Sequence, residues 1–460
     1  MVFSSLPFLF LIFPFFLAAL LCGSFFKNAA FRNSSVLIIS LFFYIWEEST
    51  NTLILIAICL INYYGASYLA NEKHGKKIFI ALIALNLLLL FIFKYSLWCL
   101  SFVTDRFIDK NIMLLGISFF IFHAISYIAD VYTKKIQASK NLLDFSTYFC
   151  MFPHLVAGPI VRYAQIKDDI HAYRASKKLF SFGMYRFLLG LNKKIIIANS
   201  VSILSDFTFS ATSPKVFSFM DAWTGIIAYG LQIYFDFSAY SDMAVGLAAM
   251  AGFRFEENFN RPYISTSVRE FWRRWHISLS TWLRDYLYIP LGGSKSAHAY
   301  ITYRNLFLVF LLCGIWHGAN TTFVVWGLWH GIFICMERLW LEKKLNALPA
   351  FFRHAYLILI ILLGWVFFKA ENLPYAFEYF SALFNFTSFS FSFASETFPL
   401  IMLAIGTVIC FLPQKYIVVP TSHAPANFKL RHLIFQFLLG CFAISLLLSS
   451  SRNPFIYFNF

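Results

Sequence analysis

The sequence predicts an all-α polytopic integral membrane protein, and three observations carry that prediction. Hydrophobic residues make up 60% of the 460 positions and charged residues 13%. The mean hydropathy is +0.68. Apolar runs of about 20 residues, the length that spans a bilayer as a helix, recur from one end of the chain to the other. A soluble domain is about half apolar and about a quarter charged, so this chain has too little polar surface to cover itself in water. Most of its surface must therefore meet lipid.

The runs fall near 6–26, 35–48 with 52–70, 78–101, 111–132, 145–160, 180–205, 222–252, 301–316, 321–340, 353–371, 396–413 and 430–450. Some are short or broken, which predicts about 11–12 transmembrane helices with re-entrant and interfacial pieces among them. No stretch reads as a separate soluble domain. Residues 1–460 read as a single membrane domain: a helical scaffold over 1–105, a polar-studded core over 111–340, and further transmembrane helices over 345–460. The first run has no basic segment before it and passes directly into further spans, unlike a cleavable signal.

The net charge of +15 reads as a topology signal, because of where it lies. Lys27 and Arg32 follow the first span, Lys73, Lys76 and Lys77 the third, and Lys134, Lys135 and Lys140 the fifth. The second connection carries Glu47 and Glu48 with no basic residue, and the fourth is mixed, with Asp105, Arg106, Asp109 and Lys110. Cytoplasmic loops are the basic ones, so the N-terminus is expected outside. Part of the charge also suits anionic head groups or an acidic partner; nothing points to nucleic acid. The eight cysteines stand singly in or beside apolar runs and read as ordinary buried residues. There is no zinc spacing, phosphate loop or HExxH motif, so no metal is expected and nucleotide hydrolysis and metalloprotease chemistry find no support.

Ionisable residues inside apolar runs are costly, so they are functional candidates. The first hundred residues hold few. The span 116–130 holds His123, Ser126 and Asp130, and 152–162 holds two prolines and a glycine, which suits either a broken, re-entrant segment or a kinked helix. In 232–242, Asp236 and Tyr240, and Ser238 and Asp242, are i,i+4 neighbours that predict local hydrogen bonds. The two carboxylates lie about 240° apart around a helix, so they read as a structural polar network rather than an acid/base dyad.

Residues 269–293 mix Trp272, Trp275, Trp282 and Tyr286 with Arg269, Arg273, Arg274 and Arg284. That mixture suits a membrane interface, where Arg273, Arg274, Arg284 and Trp275 would meet substrate or lipid. An anchoring helix does not explain His276 in its midst. His317 ends one apolar run and His330 lies in the next, with Trp316 and Asn320 beside the former. On one continuous helix the two histidines would stand about 20 Å and about 220° apart, unable to act on one atom unless the helix breaks at Gly318.

In combination, Phe-Asp-Phe-Ser-Ala-Tyr-Ser-Asp, Phe-Trp-Arg-Arg-Trp-His, Arg-Asp-Tyr-Leu-Tyr-Ile-Pro-Leu-Gly-Gly and Ile-Trp-His-Gly-Ala resemble the membrane-bound O-acyltransferase (MBOAT) family, in its alginate O-acetyltransferase (AlgI-like) branch. The D-alanyl transfer proteins of teichoic acid modification are more distant cousins. The likeness is densest over 111–340. It implies a many-helix fold with a central funnel or tunnel and an O-acyltransferase in the bacterial inner membrane. It matches His317 to the family's active-site histidine and His276 to a second polar position, which is asparagine in many eukaryotic relatives. His330 matches a further histidine of the alginate-like branch. Asp236, Asp242, Asn320 and Trp316 are supporting candidates.

The implied chemistry has His317 deprotonate a hydroxyl, which attacks a thioester presented from the cytoplasm, while His276 orients the donor or stabilises the oxyanion. The donor would be acetyl-CoA or an acyl carrier thioester, held as substrate with no bound cofactor. The acceptor would be an exported polysaccharide, and an extracytoplasmic acetyltransferase a partner. A proton-coupled transporter, or a scaffold for a polysaccharide export complex, would share the hydropathy. A transporter predicts internal repeats, which the sequence lacks.

Overall fold

A computed structural model of the chain describes residues 2–71, 75–101, 114–294, 298–412, 420–423, 430–449 and 453–455. Among these there is no strand, and the long elements are helices: α1 Phe8–Phe26, α2 Ala29–Glu48, α3 Thr52–Asn71, α4 Gly75–Leu100, α5 Ile117–Tyr132, α6 Leu142–Cys150, the one-turn α7 Phe152–Leu155, α8 Tyr163–His171 and α9 Lys177–Phe209. There follow α10 Phe219–Met250, α11 Val268–Arg274, α12 Ile277–Leu283, α13 Ala299–His317, α14 Thr321–Met336, α15 Ala350–Lys369, α16 Leu373–Leu383, α17 Thr397–Phe411 and α18 Leu430–Ser449. The topology markers Lys73, Asp105, Arg106, Asp109 and Lys110 lie outside the described residues.

Six helical stretches among the described residues are long and apolar enough to cross a membrane: α1, the α2–α3 run Ala29–Ala70, α4, α9, α15 and most of α18. Helices α5 and α17 are apolar but shorter. Among the other expected spans, 222–252 is the long but acid-bearing α10, with Asp221, Asp236 and Asp242, and 145–160 is broken between α6 and α7. The chain is an all-α polytopic membrane protein. Large apolar side chains such as Phe10, Phe15, Phe25, Leu53 and Leu88 stand exposed on the early helices, a surface that lipid would cover. Cysteines 22, 99 and 441 share such exposed faces, and the other five are buried or half-buried.

The chain folds as two compact units. The first comprises Met1–Leu191, Tyr240–Glu257 and Pro420–Cys441. In it, Asn28 caps α2 by accepting the backbone N–H of Ala30 at 2.8 Å. Arg32, one turn on, donates to the carbonyls of Asp169 (2.6 Å), Ile170 (3.0 Å) and Ala172 (3.1 Å), satisfying carbonyls that the end of α8 leaves open. The segment after α7 runs without helix from Val156 to Arg162 and is buried throughout, so 152–162 is a broken segment enclosed by protein.

The second unit comprises Asn192–Ala239, Asn258–Val419 and Phe442–Phe460. Its core is aromatic: Trp275 stacks on Phe271 at 5.3 Å and meets Trp365 at 5.1 Å. Side chains cap its short helices. Ser267 Oγ accepts the Glu270 N–H at 3.1 Å to start α11, and Asn372 Oδ1 accepts the Tyr375 N–H at 2.9 Å to start α16.

Candidate functional site

The helix does break where the two histidines require it. Helix α13 ends at His317, Gly318 is extended, and α14 starts at Thr321, capped by Asn320 Oδ1 accepting the Thr322 N–H at 3.1 Å. The amide of Asn320 also donates to the Glu371 carbonyl at 2.7 Å, which ties the break down from outside. The two helices return on each other as a hairpin whose backbones nearly touch. A Cβ on Gly327 would lie 2.4 Å from the Phe310 carbonyl oxygen and 3.1 Å from the Gly314 Cα, so only glycine permits the approach. The hairpin brings His317 and His330 to one indole: their rings lie 4.9 Å and 5.0 Å from Trp326, both edge-on. Phe368 closes on His317 at 5.1 Å, and Trp272 on His330 at 5.2 Å. His317 is 3% exposed and His330 fully buried.

His276 approaches the second indole, Trp316. The segment expected as one interfacial helix is two, α11 and α12, parted at Trp275–His276. His276 sits at φ 45°, ψ 55°, the left-handed region that a residue with a Cβ rarely enters. Backbone strain of this kind collects at functional positions. The conformation is held by its neighbours: Ile277 N–H donates to the Asn258 carbonyl at 2.9 Å, and Asn260 N–H to the Arg274 carbonyl at 2.9 Å. The imidazole is fully buried, edge-on to Phe237 at 4.7 Å, with Nδ1 3.2 Å from Asn258 Oδ1. Trp316 lies 6.3 Å from the His276 ring and 4.9 Å from that of His317. Two indoles, Trp316 and Trp326, thus link three buried imidazoles. Among the described residues no group of three His, Cys, Asp or Glu side chains is arranged to hold a metal ion.

A model of the MBOAT, membrane-bound O-acyltransferase family, matches residues 39–375, which include all three histidines. The chain belongs to this family. Among similar MBOAT-like proteins, "Probable alginate O-acetylase AlgI" of Azotobacter vinelandii is 39% identical, covering 92% of this chain and 87% of its own. "Peptidoglycan O-acetyltransferase" of Helicobacter pylori is 30% identical over 97% of this chain and 94% of its own. "Teichoic acid D-alanyltransferase" of Bacillus subtilis is 27% identical over 64% and 78%. This MBOAT protein is accordingly a multi-pass membrane O-acyltransferase.

The other candidates of this MBOAT chain divide sharply. The carboxylate of Asp236 pairs with Lys194 at 2.7 Å, both side chains buried. Asp242 pairs with Arg186, which also holds Glu257 at 2.8 Å. Both carboxylates thus take basic residues of α9 as partners, because a buried carboxylate needs a full countercharge. Trp275 is 2% exposed and packs in the core, so it is not placed to meet lipid. Arg274 is held by Glu270 at 2.9 Å and Arg284 by Asp285 at 2.6 Å, while Arg273 is exposed. Sequence reading missed four residues that shape these arrangements: Arg186, Lys194, Asn258 and Glu337. Glu337 accepts the N–H groups of Val268 (2.7 Å) and Arg269 (3.0 Å) and so anchors the start of the helix that leads to His276. Nothing local marks Asn258 or Glu337, whose partners are far away in sequence.

Proposed function

We propose that this O-acyltransferase moves an acetyl group from a cytoplasmic thioester to a hydroxyl of an exported or cell-surface polysaccharide, with His317 as general base. The observation that carries the reading is the position of His317: a buried imidazole at a helix break, sharing Trp316 with the strained His276. The relatives' names, alginate O-acetylase and peptidoglycan O-acetyltransferase, support acetyl as the group and a glycan as the acceptor.

In the reaction the acceptor hydroxyl gives its proton to His317 as its oxygen attacks the thioester carbonyl. The C–O bond forms, the C–S bond breaks, and the imidazolium returns the proton to the leaving thiolate, so ester and thiol are the products. A positioned base of this kind contributes about 10²–10⁴-fold. Burial among indoles keeps water from competing for the thioester. The donor is acetyl-CoA or an acyl carrier thioester, and an extracytoplasmic acetyltransferase completes delivery to the polymer. The bacterial inner membrane, with the N-terminus outside, is the setting that the loop charges support. Asp236 and Asp242 are structural in this scheme, and exposed Arg273 is the guanidinium best placed to meet an anionic donor or head group.

The test is release of thiol from labelled acetyl-CoA by the purified chain in lipid vesicles, alone and with a small glycan acceptor. The reading expects acceptor-dependent turnover by the wild type and its loss in His317→Ala. Equal turnover by both proteins would remove His317 from the chemistry.

A further inference from the structure

Granting that His276 stands at the acyl-transfer centre, the hydrogen bonds around Asn258 determine what that imidazole offers a substrate. Asn258 Oδ1 receives the backbone N–H of Ser278 at 3.2 Å and the Ser278 hydroxyl at 2.8 Å. A backbone N–H can only donate, so the carboxamide atom it meets is the oxygen and not the nitrogen of Asn258. That same oxygen faces His276 Nδ1 at 3.2 Å, and the Ser278 hydroxyl, its proton already committed to Asn258, faces Nδ1 at 3.4 Å. Nδ1 thereby faces two acceptor oxygens. A bare ring nitrogen there would set its lone pair against theirs, so Nδ1 carries the hydrogen. In a neutral imidazole one nitrogen carries hydrogen and the other a lone pair.

We infer that Asn258 is a positioning residue that holds neutral His276 as its Nδ1–H tautomer, so that Nε2 meets the substrate as a hydrogen-bond acceptor. The left-handed backbone of His276 and the bond from Ile277 N–H to the Asn258 carbonyl fix the ring against Asn258 from the main chain as well. The consequence changes the role expected from the sequence. An oxyanion needs hydrogen-bond donors aimed at it, and neutral His276 offers none at Nε2. It accepts instead, from an O–H or N–H of the substrate: the acceptor's hydroxyl, or an amide in the arm of the thioester donor. Asn258 touches neither and acts only through His276.

The experiment is nitrogen-15 NMR of histidine-labelled protein in lipid, with the His276 resonances among the 11 histidines assigned by their loss in His276→Gln. The expected wild-type pattern is a protonated Nδ1 and a bare Nε2. The same pattern is expected in Asn258→Asp, which keeps an acceptor oxygen, and its loss in Asn258→Leu, which has the shape but no acceptor. Turnover should follow: Asn258→Leu falls by between about tenfold and 10⁴-fold, and Asn258→Asp recovers part of it. A rise in KM for the acyl donor assigns Nε2 to the donor's amide, and a rise in KM for the glycan assigns it to the hydroxyl. A bare Nδ1 in the wild type, or a loss confined to kcat with both KM values unchanged, overturns the inference. The NMR result does not depend on turnover, so an inactive wild type would count against the proposed function while leaving the tautomer established.

Discussion

Each of the two compact units buries its own group of histidines, and the groups differ in how the backbone holds them. In the first unit His123 stacks on His154 at 4.5 Å, and His154 Nε2 lies 2.7 Å from the Tyr148 carbonyl. His123 lies well inside a regular helix, and among the described residues neither of its ring nitrogens has a hydrogen-bond partner. Its neighbour Ser126 donates back to the His123 carbonyl at 3.0 Å, and Asp130 pairs with Lys135 at 3.4 Å. In the second unit His317 ends a helix, His276 sits between two helices in the left-handed region, and glycines bring the hairpin of His317 and His330 together. Burial alone therefore does not mark a reactive imidazole here. The left-handed backbone at His276 and the glycine-closed hairpin of His317 and His330, which need a reason, separate the second group from the first.

The largest expected effect on stability tests whether acid groups of the second unit share the chemistry. Lys194→Met leaves Asp236 buried without its countercharge and should destabilise the protein by about 3–5 kcal/mol. Lys194→Met with Asp236→Leu should regain most of that and retain acetyl transfer. Unfolding midpoints in detergent, followed by a transfer assay, decide it; an inactive but stable double variant would move Asp236 into the mechanism. Next comes Gly327→Ala, whose added methyl meets the Phe310 carbonyl and should cost about 1–3 kcal/mol. Its transfer rate should fall with the loosened hairpin, whereas His123→Phe in the first unit should leave the rate nearly unchanged.

A smaller effect separates two variants at the strained position. His276→Asn, with a side chain that tolerates the left-handed region, should be about 1 kcal/mol more stable than His276→Ala. Differential scanning of the two proteins measures the gap, and an absent gap would mean that the strain is not borne there. Smallest is Asn320→Ala, which removes a helix cap: about 0.5–1 kcal/mol in unfolding and no change in transfer rate. A large loss of rate with intact stability would make Asn320 part of the site.

Much of this was legible in the sequence. Composition and run length gave the membrane class, and Trp-His-Gly and Arg-Trp-His pointed to His317 and His276. Gly318 marked the condition under which His317 and His330 could meet, and the prolines of 152–162 left a broken segment and a kinked helix equally open, of which the break is observed. The rest depends on pairs distant along the chain. Arg186 reaches Glu257 across 71 residues and Glu337 reaches Val268 across 69, and periodicity carries no signal for such contacts. The break at His276 was hidden because its flanks, Phe-Trp-Arg-Arg-Trp and Ile-Ser-Leu-Ser-Thr-Trp, each read as helix.

Ester formation on a glycan acceptor, compared side by side for wild type, His317→Gln and His123→Phe in the same lipid and at matched folded protein, tests the central claim most directly. The account predicts a loss of about 10²–10⁴-fold in His317→Gln and near-normal transfer in His123→Phe. Transfer that survives in His317→Gln, or is lost in a folded His123→Phe, would contradict it.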